Sequence, residues 1–356
     1  LADTNYQERL TFMNDSLILP SHPALRYGGR WDPSDSKCCQ TGRGAVYVKA
    51  RFTGTYLALL LWGSDPDVWW CSQIDEGEVK RWQNTLPEGA DLVLAQDNLA
   101  PGPHTLTLSR DTEGLGGISY FGGLILAPGE KLLPPEPPLR RRIELIGDSI
   151  LAGGFALGTT GSTYLENESS QLAFGPQLAK FLQAEYSVIA TSGEGVVHNA
   201  DETQRASEIS YAAGDYKRTL YSSGQPLWSF TAFKPQVILV NHGANDFEGG
   251  ILPAPAFFER GYRQLLELIR HKNPLSLLIC LDPLPEEPAL QAGPAIQRAV
   301  QKLNGQGDKN IHYLPLAERQ TFLSPEDYAD GEHLLASGHA KVARYLAPMI
   351  ARLAKW

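Results

Sequence analysis

Residues 127–138 read APGEKLLPPEPP, five prolines in twelve positions, and no other run constrains the chain as strongly. Proline fixes φ and removes a backbone donor, so a stretch this dense can be neither helix nor central strand and forms an extended, stiff connection. The hydrophobic rhythm differs on its two sides. From Leu10 to about Leu126, short alternating apolar segments such as 45–52 (AVYVKARF) and 56–62 (YLALLLW) are separated by turn residues, a spacing that predicts a β-sandwich. Residues 111–117 (DTEGLGG), between the apolar segments 104–109 and 118–126, read as a Gly-rich hairpin loop.

Beyond Arg140, apolar strands alternate with amphipathic helices. The strands fall at 143–146, 186–190, 237–240, 275–281 and 311–314, and the helices at 170–185, 254–271, 295–303 and 337–353. This alternation predicts a mostly parallel sheet with helices on both faces, with ligands bound outside the carboxyl ends of its strands. The expected organisation is a jelly-roll-like β-sandwich domain over residues 1–135 and an α/β domain over 136–356. A length of 356 residues suits two cores better than one.

Composition serves mainly to exclude. With 42% hydrophobic and 20% charged residues the chain is an ordinary globular protein. Its longest apolar stretches, of about seven residues, fall far short of the ~20 needed for a helix to cross a bilayer, so no membrane partner is expected. A net charge of −9, with no basic run longer than Arg140, Arg141 and Arg142, argues against nucleic acid as a partner. Four cysteines (Cys38, Cys39, Cys71, Cys280) form no C-x-x-C pair; free thiols are the first expectation, with a bridge from Cys71 to Cys38 or Cys39 as the alternative. The chain begins at Leu1 rather than Met, as after removal of a leader, and the expected location is secreted or periplasmic.

Four strand ends carry the residue types of acyl transfer. The first ends in Gly147-Asp148-Ser149, where a serine can project its hydroxyl above the sheet. The second ends in Thr191-Ser192-Gly193-Glu194-Gly195, whose glycines let the backbone present N–H groups to a ligand. The third ends in Asn241-His242-Gly243-Ala244-Asn245-Asp246, and an amide side chain there is a neutral donor suited to a negative oxygen. Near the C-terminus Asp330 precedes His333 by three residues, close enough for one turn to bring the carboxylate to Nδ1 and leave Nε2 to take a serine proton. Each block alone is common; their joint occurrence at successive strand ends is not. His198, His242 and Asp246 match no known ligand set, so no metal or other cofactor is expected.

These blocks resemble the SGNH (GDSL) hydrolase superfamily. Leu165-Glu166-Asn167, Ala184-Glu185-Tyr186, residues 190–195 and Trp228-Ser229-Phe230, with Gly29-Arg30-Trp31 and residues 51–55 in the first half, are similar to carbohydrate esterase family 2. The resemblance implies a metal-independent serine esterase that removes O-acetyl groups from plant polysaccharides or their oligosaccharides, in general from the 6-hydroxyl of gluco- or manno-configured sugars. By position it implies Ser149 as nucleophile, His333 as base, and an oxyanion hole of the Ser149 and Gly195 amides with the Asn245 side chain, Gly193 being the other choice of glycine. Family 2 enzymes often work as a Ser–His dyad, whereas Asp330 stands where the wider superfamily has its acid, so a triad is expected here. Trp69, Trp70, Trp228 and Phe247 are the candidate sugar contacts. A lipase or thioesterase, a peptidoglycan O-acetylesterase and a carbohydrate-binding protein with a vestigial site are the alternatives; G-x-S-x-G is absent, against an α/β-hydrolase lipase.

Overall fold

A computed structural model describes residues 17–64, 67–83, 91–200, 207, 211–221, 223–248, 252–316 and 321–356. The first residues of the expected sandwich, 10–16, lie outside this set. The sandwich strands are β1 (Leu17–Ile18), β2 (Arg26–Gly28), β3 (Asp32–Asp35), β4 (Cys38–Thr41), β5 (Tyr47–Thr53), β6 (Leu57–Gly63), β7 (Trp69–Ile74), β8 (Lys80–Gln83), β9 (Asp91–Gln96), β10 (Pro103–Arg110), β11 (Ser119–Leu126) and β12 (Leu132–Leu133). They form two antiparallel sheets. One runs β3-β4-β11-β6-β9 with β1 on β11, the other β12-β5-β10-β7-β8 with β2 on β5. Alternation along the strands turns Val48, Ala50 and Phe52 of β5 and Leu57, Leu59 and Leu61 of β6 into one core between the sheets. Cys38, Cys39, Cys71 and Cys280 are free and buried, so the alternative bridge is not formed.

The loop at 111–117 is not a hairpin. β10 and β11 belong to different sheets, and the segment between them crosses from one to the other with Asp111, Thr112 and Glu113 fully buried. Alternating strands with a short Gly-rich link look alike whether they pair with each other or not; the partner strands β5, β7, β4 and β6 decide it here.

The proline-rich run is not extended throughout: it opens with a turn, closed by the Glu130 amide on the Ala127 carbonyl at 3.1 Å with Gly129 at φ +85°, and beyond the turn β12 pairs with β5 and the chain is tied to its surroundings. Arg51 donates to the Pro134 carbonyl, Arg26 to that of Glu136, and the Leu139 amide to the Glu185 carboxylate. Beyond it the parallel sheet comprises β13 (Arg141–Gly147), β14 (Ala184–Ala190), β15 (Val237–Asn241), β16 (Leu277–Leu281) and β17 (Ile311–Leu314), in the order β14-β13-β15-β16-β17. The helices are α1 (Ser149–Ala152), α2 (Tyr164–Asn167), α3 (Phe174–Leu182), α4 (Tyr211–Asp215), α5 (Pro255–Lys272), α6 (Glu286–Gly305) and α7 (Ala336–Ala354). Ile143 and Leu145 of β13 face α3 and α7, while Ile146 faces the cluster built by α5 and α6, so both faces are covered. α6 starts well before the expected 295, because Pro285 only caps it and Pro294 lies inside the helix rather than ending it. In this strand order the chain reverses direction across the sheet at β13, with β14 on one side and β15 on the other, and the crevice at such a switch point is where open α/β sheets hold ligands.

Buried charge joins the two halves. Arg43, in the loop after β4, forms a two-pronged pair with Asp215 at 2.6 and 2.7 Å, both side chains about 1% exposed. Arg30 donates to the Tyr216 and Arg218 carbonyls at 2.7 and 2.8 Å, lies 3.4 Å from Glu144, and has Tyr216 and Trp228 rings 5.1 Å from its guanidinium carbon. Removing one member of such a pair strands the other charge out of water. Arg43→Ala is therefore expected to lower unfolding free energy by about 3–5 kcal/mol, measured by urea denaturation. A loss below about 1 kcal/mol would mean that water reaches Asp215.

Candidate active site

Ser149 opens α1 immediately after β13, and the buried Asp148 caps the turn by accepting from the Ile150 amide at 3.2 Å. Loss of hydration pushes the Asp148 carboxyl up to about 7. From the far end of the chain, the loop before α7 brings His333 to this turn. His333 Nε2 lies 3.0 Å from Ser149 Oγ, and Nδ1 lies 2.8 Å from Asp330 Oδ2. The other Asp330 oxygen accepts the amides of Glu332 and His333 at 3.0 and 2.7 Å, which fixes the carboxylate against the imidazole. Partial burial raises the Asp330 pKa, but these hydrogen bonds outweigh it and hold the carboxyl below its ordinary value, which favours the anion facing Nδ1. The Phe155 ring packs on the imidazole with centroids 5.2 Å apart, and Tyr164 meets Phe155 edge-on.

The loop after β14 supplies the facing wall. Asp246 accepts the amides of Val196, Val197 and His198 at 2.7, 2.7 and 3.0 Å; burial nonetheless pushes its carboxyl up to about 6. Asn245 is buried and donates one Nδ2 hydrogen to the Glu194 carbonyl at 2.9 Å, which leaves its second hydrogen available. Gly195, the expected second backbone donor, is committed elsewhere: its amide donates to Asn199 Oδ1 at 3.0 Å. Gly193 is the alternative, with φ of +75° and an amide that makes no hydrogen bond among the described residues. Gly195 is needed for space instead, since a Cβ there would lie 1.8 Å from the His198 carbonyl oxygen. Gly195→Ala should therefore destabilise the fold by about 1–3 kcal/mol or more, read as a drop in thermal midpoint. An unchanged midpoint would show that the turn can yield.

The candidate sugar contacts separate. On β7 Trp69 is half-buried under the Arg81 guanidinium at 4.1 Å, whereas Trp70 points inward, fully buried and stacked with Trp82. Phe247 is also a core residue, 7% exposed and packed edge-on against Phe258. Neither Trp70 nor Phe247 offers a ring face to a ligand, because strand alternation turns the first between the sheets and the short turn after Asn245 turns the second under α5. Trp228 is half-buried against Arg30. Tyr164, at the start of α2, and Phe155, in the loop after α1, were not among the expected residues, since a lone aromatic residue carries no local signature of the imidazole it packs around.

A serine, an imidazole and a carboxylate in hydrogen-bonded series, at the switch point of a five-stranded parallel sheet, define a hydrolase of the SGNH type. Residues 145–341 match the GDSL-like Lipase/Acylhydrolase family, and the chain belongs to that family. Residues 27–137 match the Carbohydrate esterase 2 N-terminal model. Among curated proteins it is similar to the Cellulase/esterase CelE of Acetivibrio thermocellus, 26% identical over 94% of this chain and 40% of that protein. An Acetylxylan esterase / glucomannan deacetylase of Cellvibrio japonicus is 31% identical over 57% of this chain and 54% of that protein. The chain thus spans about half the length, or less, of these two relatives. Among solved structures, a family two carbohydrate esterase from Clostridium thermocellum in complex with cellohexaose superposes with a TM-score of 0.83 at 25% identity, covering 93% of this chain and 99% of that one.

Proposed function

We propose that the protein is a secreted or periplasmic serine esterase that removes O-acetyl groups from plant polysaccharides or their oligosaccharides, with the 6-hydroxyl of gluco- or manno-configured sugars as the favoured position. The observation that carries the reading is the continuous hydrogen-bonded series Ser149 Oγ, His333 Nε2, His333 Nδ1 and Asp330 Oδ2. On this reading the boundary between the sandwich and the catalytic domain falls at 135/136. The acetylated-glycan specificity of the Cellvibrio japonicus relative and the cellohexaose in the Clostridium thermocellum complex support a neutral glycan as partner, and the net charge of −9 is compatible with it.

Ser149 Oγ attacks the acetyl carbonyl while His333 Nε2 takes its proton; Asp330 keeps the remaining proton on Nδ1 and stabilises the imidazolium. The carbonyl oxygen becomes an alkoxide and turns toward the amides of Ser149 and Gly193 and the free Nδ2 hydrogen of Asn245. The intermediate collapses, the C–O bond to the sugar breaks, and His333 returns the proton to the departing sugar oxygen. Water, activated by the same imidazole, then cleaves the acetyl-serine to acetate and free Ser149.

Chain length distinguishes this reading from a lipase or thioesterase. Rates on 4-nitrophenyl acetate, butyrate and octanoate are expected to fall with each extension, by about tenfold or more in kcat/KM from acetate to octanoate, since one unaccommodated methylene costs about 1–3 kcal/mol. A preference for octanoate would refute the deacetylase reading.

A further inference from the structure

The β10–β11 crossing places a carboxylate from the sandwich inside the catalytic loop. Glu113 Oε2 accepts the Ser192 amide at 2.7 Å, while from the catalytic side the Tyr164 hydroxyl and Ser192 Oγ lie 2.6 Å apart. Ser192 is thus held at its backbone and at its side chain by groups from two domains. The peptide that follows it carries the Gly193 N–H. The two anchors hold Ser192 N, Cα and Cβ in place, so the peptide that follows keeps only rotation about Cα–C (ψ), and the turn beyond it is closed by the Glu194 amide on the Thr191 carbonyl at 3.3 Å and the Ala200 amide on the Gly193 carbonyl at 2.9 Å.

Glu113 is itself clamped. Its amide donates to Glu168 Oε1 at 2.7 Å and its carbonyl accepts from the fully buried Arg110 at 2.7 Å. The next residue, Gly114, is packed so closely that a Cβ there would lie 2.6 Å from both the Gly42 carbonyl oxygen and Tyr221 Cβ, so no other residue fits at this position. The carboxylate gains little stability from this position: Glu113 Oε1 and Glu168 Oε2 are both buried without a hydrogen-bond partner. Desolvation, acting against Ser192, Arg110 and Arg43, pushes the Glu113 carboxyl up to about 7. A group that opposes folding in this way is better explained by what it holds than by what it stabilises.

We propose that Glu113 is a positioning residue, supplied by the sandwich domain, that sets the direction of the Gly193 amide by fixing Ser192. The proposal rests on the esterase reading above. Its consequence is that the sandwich completes the oxyanion hole rather than being an appendage to it.

Steady-state kinetics on 4-nitrophenyl acetate, with competent serine titrated by a fluorophosphonate, test it. Glu113→Gln retains an acceptor for the Ser192 amide and removes one of two facing carboxylates, so kcat is expected to stay within about threefold of the parent. Glu113→Met keeps the volume and removes the acceptor. Its kcat per titrated site is expected to fall about ten- to a hundredfold at nearly unchanged KM, the scale set by a misplaced or lost oxyanion donor. Tyr164→Phe, which frees Ser192 from the other side without touching a buried charge, should lower kcat in the same manner and decides the matter if Glu113→Met does not fold. Parent kcat per site in the Met variant, equal losses in Gln and Met, or, where Met does not fold, parent kcat in Tyr164→Phe would overturn the proposal. The parent measured against Ser149→Ala reports separately on the esterase reading.

Discussion

Ser149→Ala is expected to lower kcat on acetyl esters by about five to six orders of magnitude, the scale seen when a hydroxyl nucleophile with a paired base is removed. Ser149 Oγ makes one contact of consequence, the 3.0 Å hydrogen bond to His333 Nε2, and takes no part in the Asp148 cap. The fold should therefore survive, with a denaturation midpoint close to the parent's. Stability and turnover part company at this position, which makes the variant a clean control. Residual turnover above about one part in a thousand would require another nucleophile.

Asp330→Asn is expected to lower kcat by about three to four orders of magnitude. The substitution keeps an oxygen able to accept the Glu332 and His333 amides, so the loop is preserved. What changes is the group 2.8 Å from His333 Nδ1, which becomes an N–H₂ donor in place of an anion. Nδ1 must then accept, the remaining proton moves to Nε2, and the nitrogen facing Ser149 can no longer take the serine proton. A Ser–His dyad predicts the opposite, with most activity retained. Circular dichroism matching the parent would assign the loss to the tautomer rather than to unfolding.

The fold and the candidate site were legible where the signal is local. A proline-dense connection, a change of hydrophobic period, a serine, glycine and asparagine just beyond three strands, and a histidine shortly before the last helix are all written within a few neighbouring residues. Asp330 and His333 are three apart, so a single turn brings them together whatever the rest of the chain does. Which of Gly193 and Gly195 keeps an amide uncommitted among the described residues was not legible in that way. It depends on Asn199, which occupies the Gly195 amide, and on Asp246, which draws the next three amides toward β15. Glu113 was hidden for a related reason: a polar residue in a Gly-rich link looks solvated until a second domain covers it. Trp70 and Phe247 show the reverse, aromatic residues adjacent to promising motifs whose rings the packing directs inward.

On the proposed function, Ser149, His333 and Asp330 deacetylate a neutral plant glycan. Proton NMR of acetylated glucomannan and acetylated xylan during incubation with the parent and with Ser149→Ala tests it most directly, because the same spectra report reaction, position and backbone preference. Loss of the 6-O-acetyl signals with matching growth of free acetate is expected in the parent alone. Unchanged acetyl signals on both polymers with the folded parent, or equal release by Ser149→Ala, would contradict it.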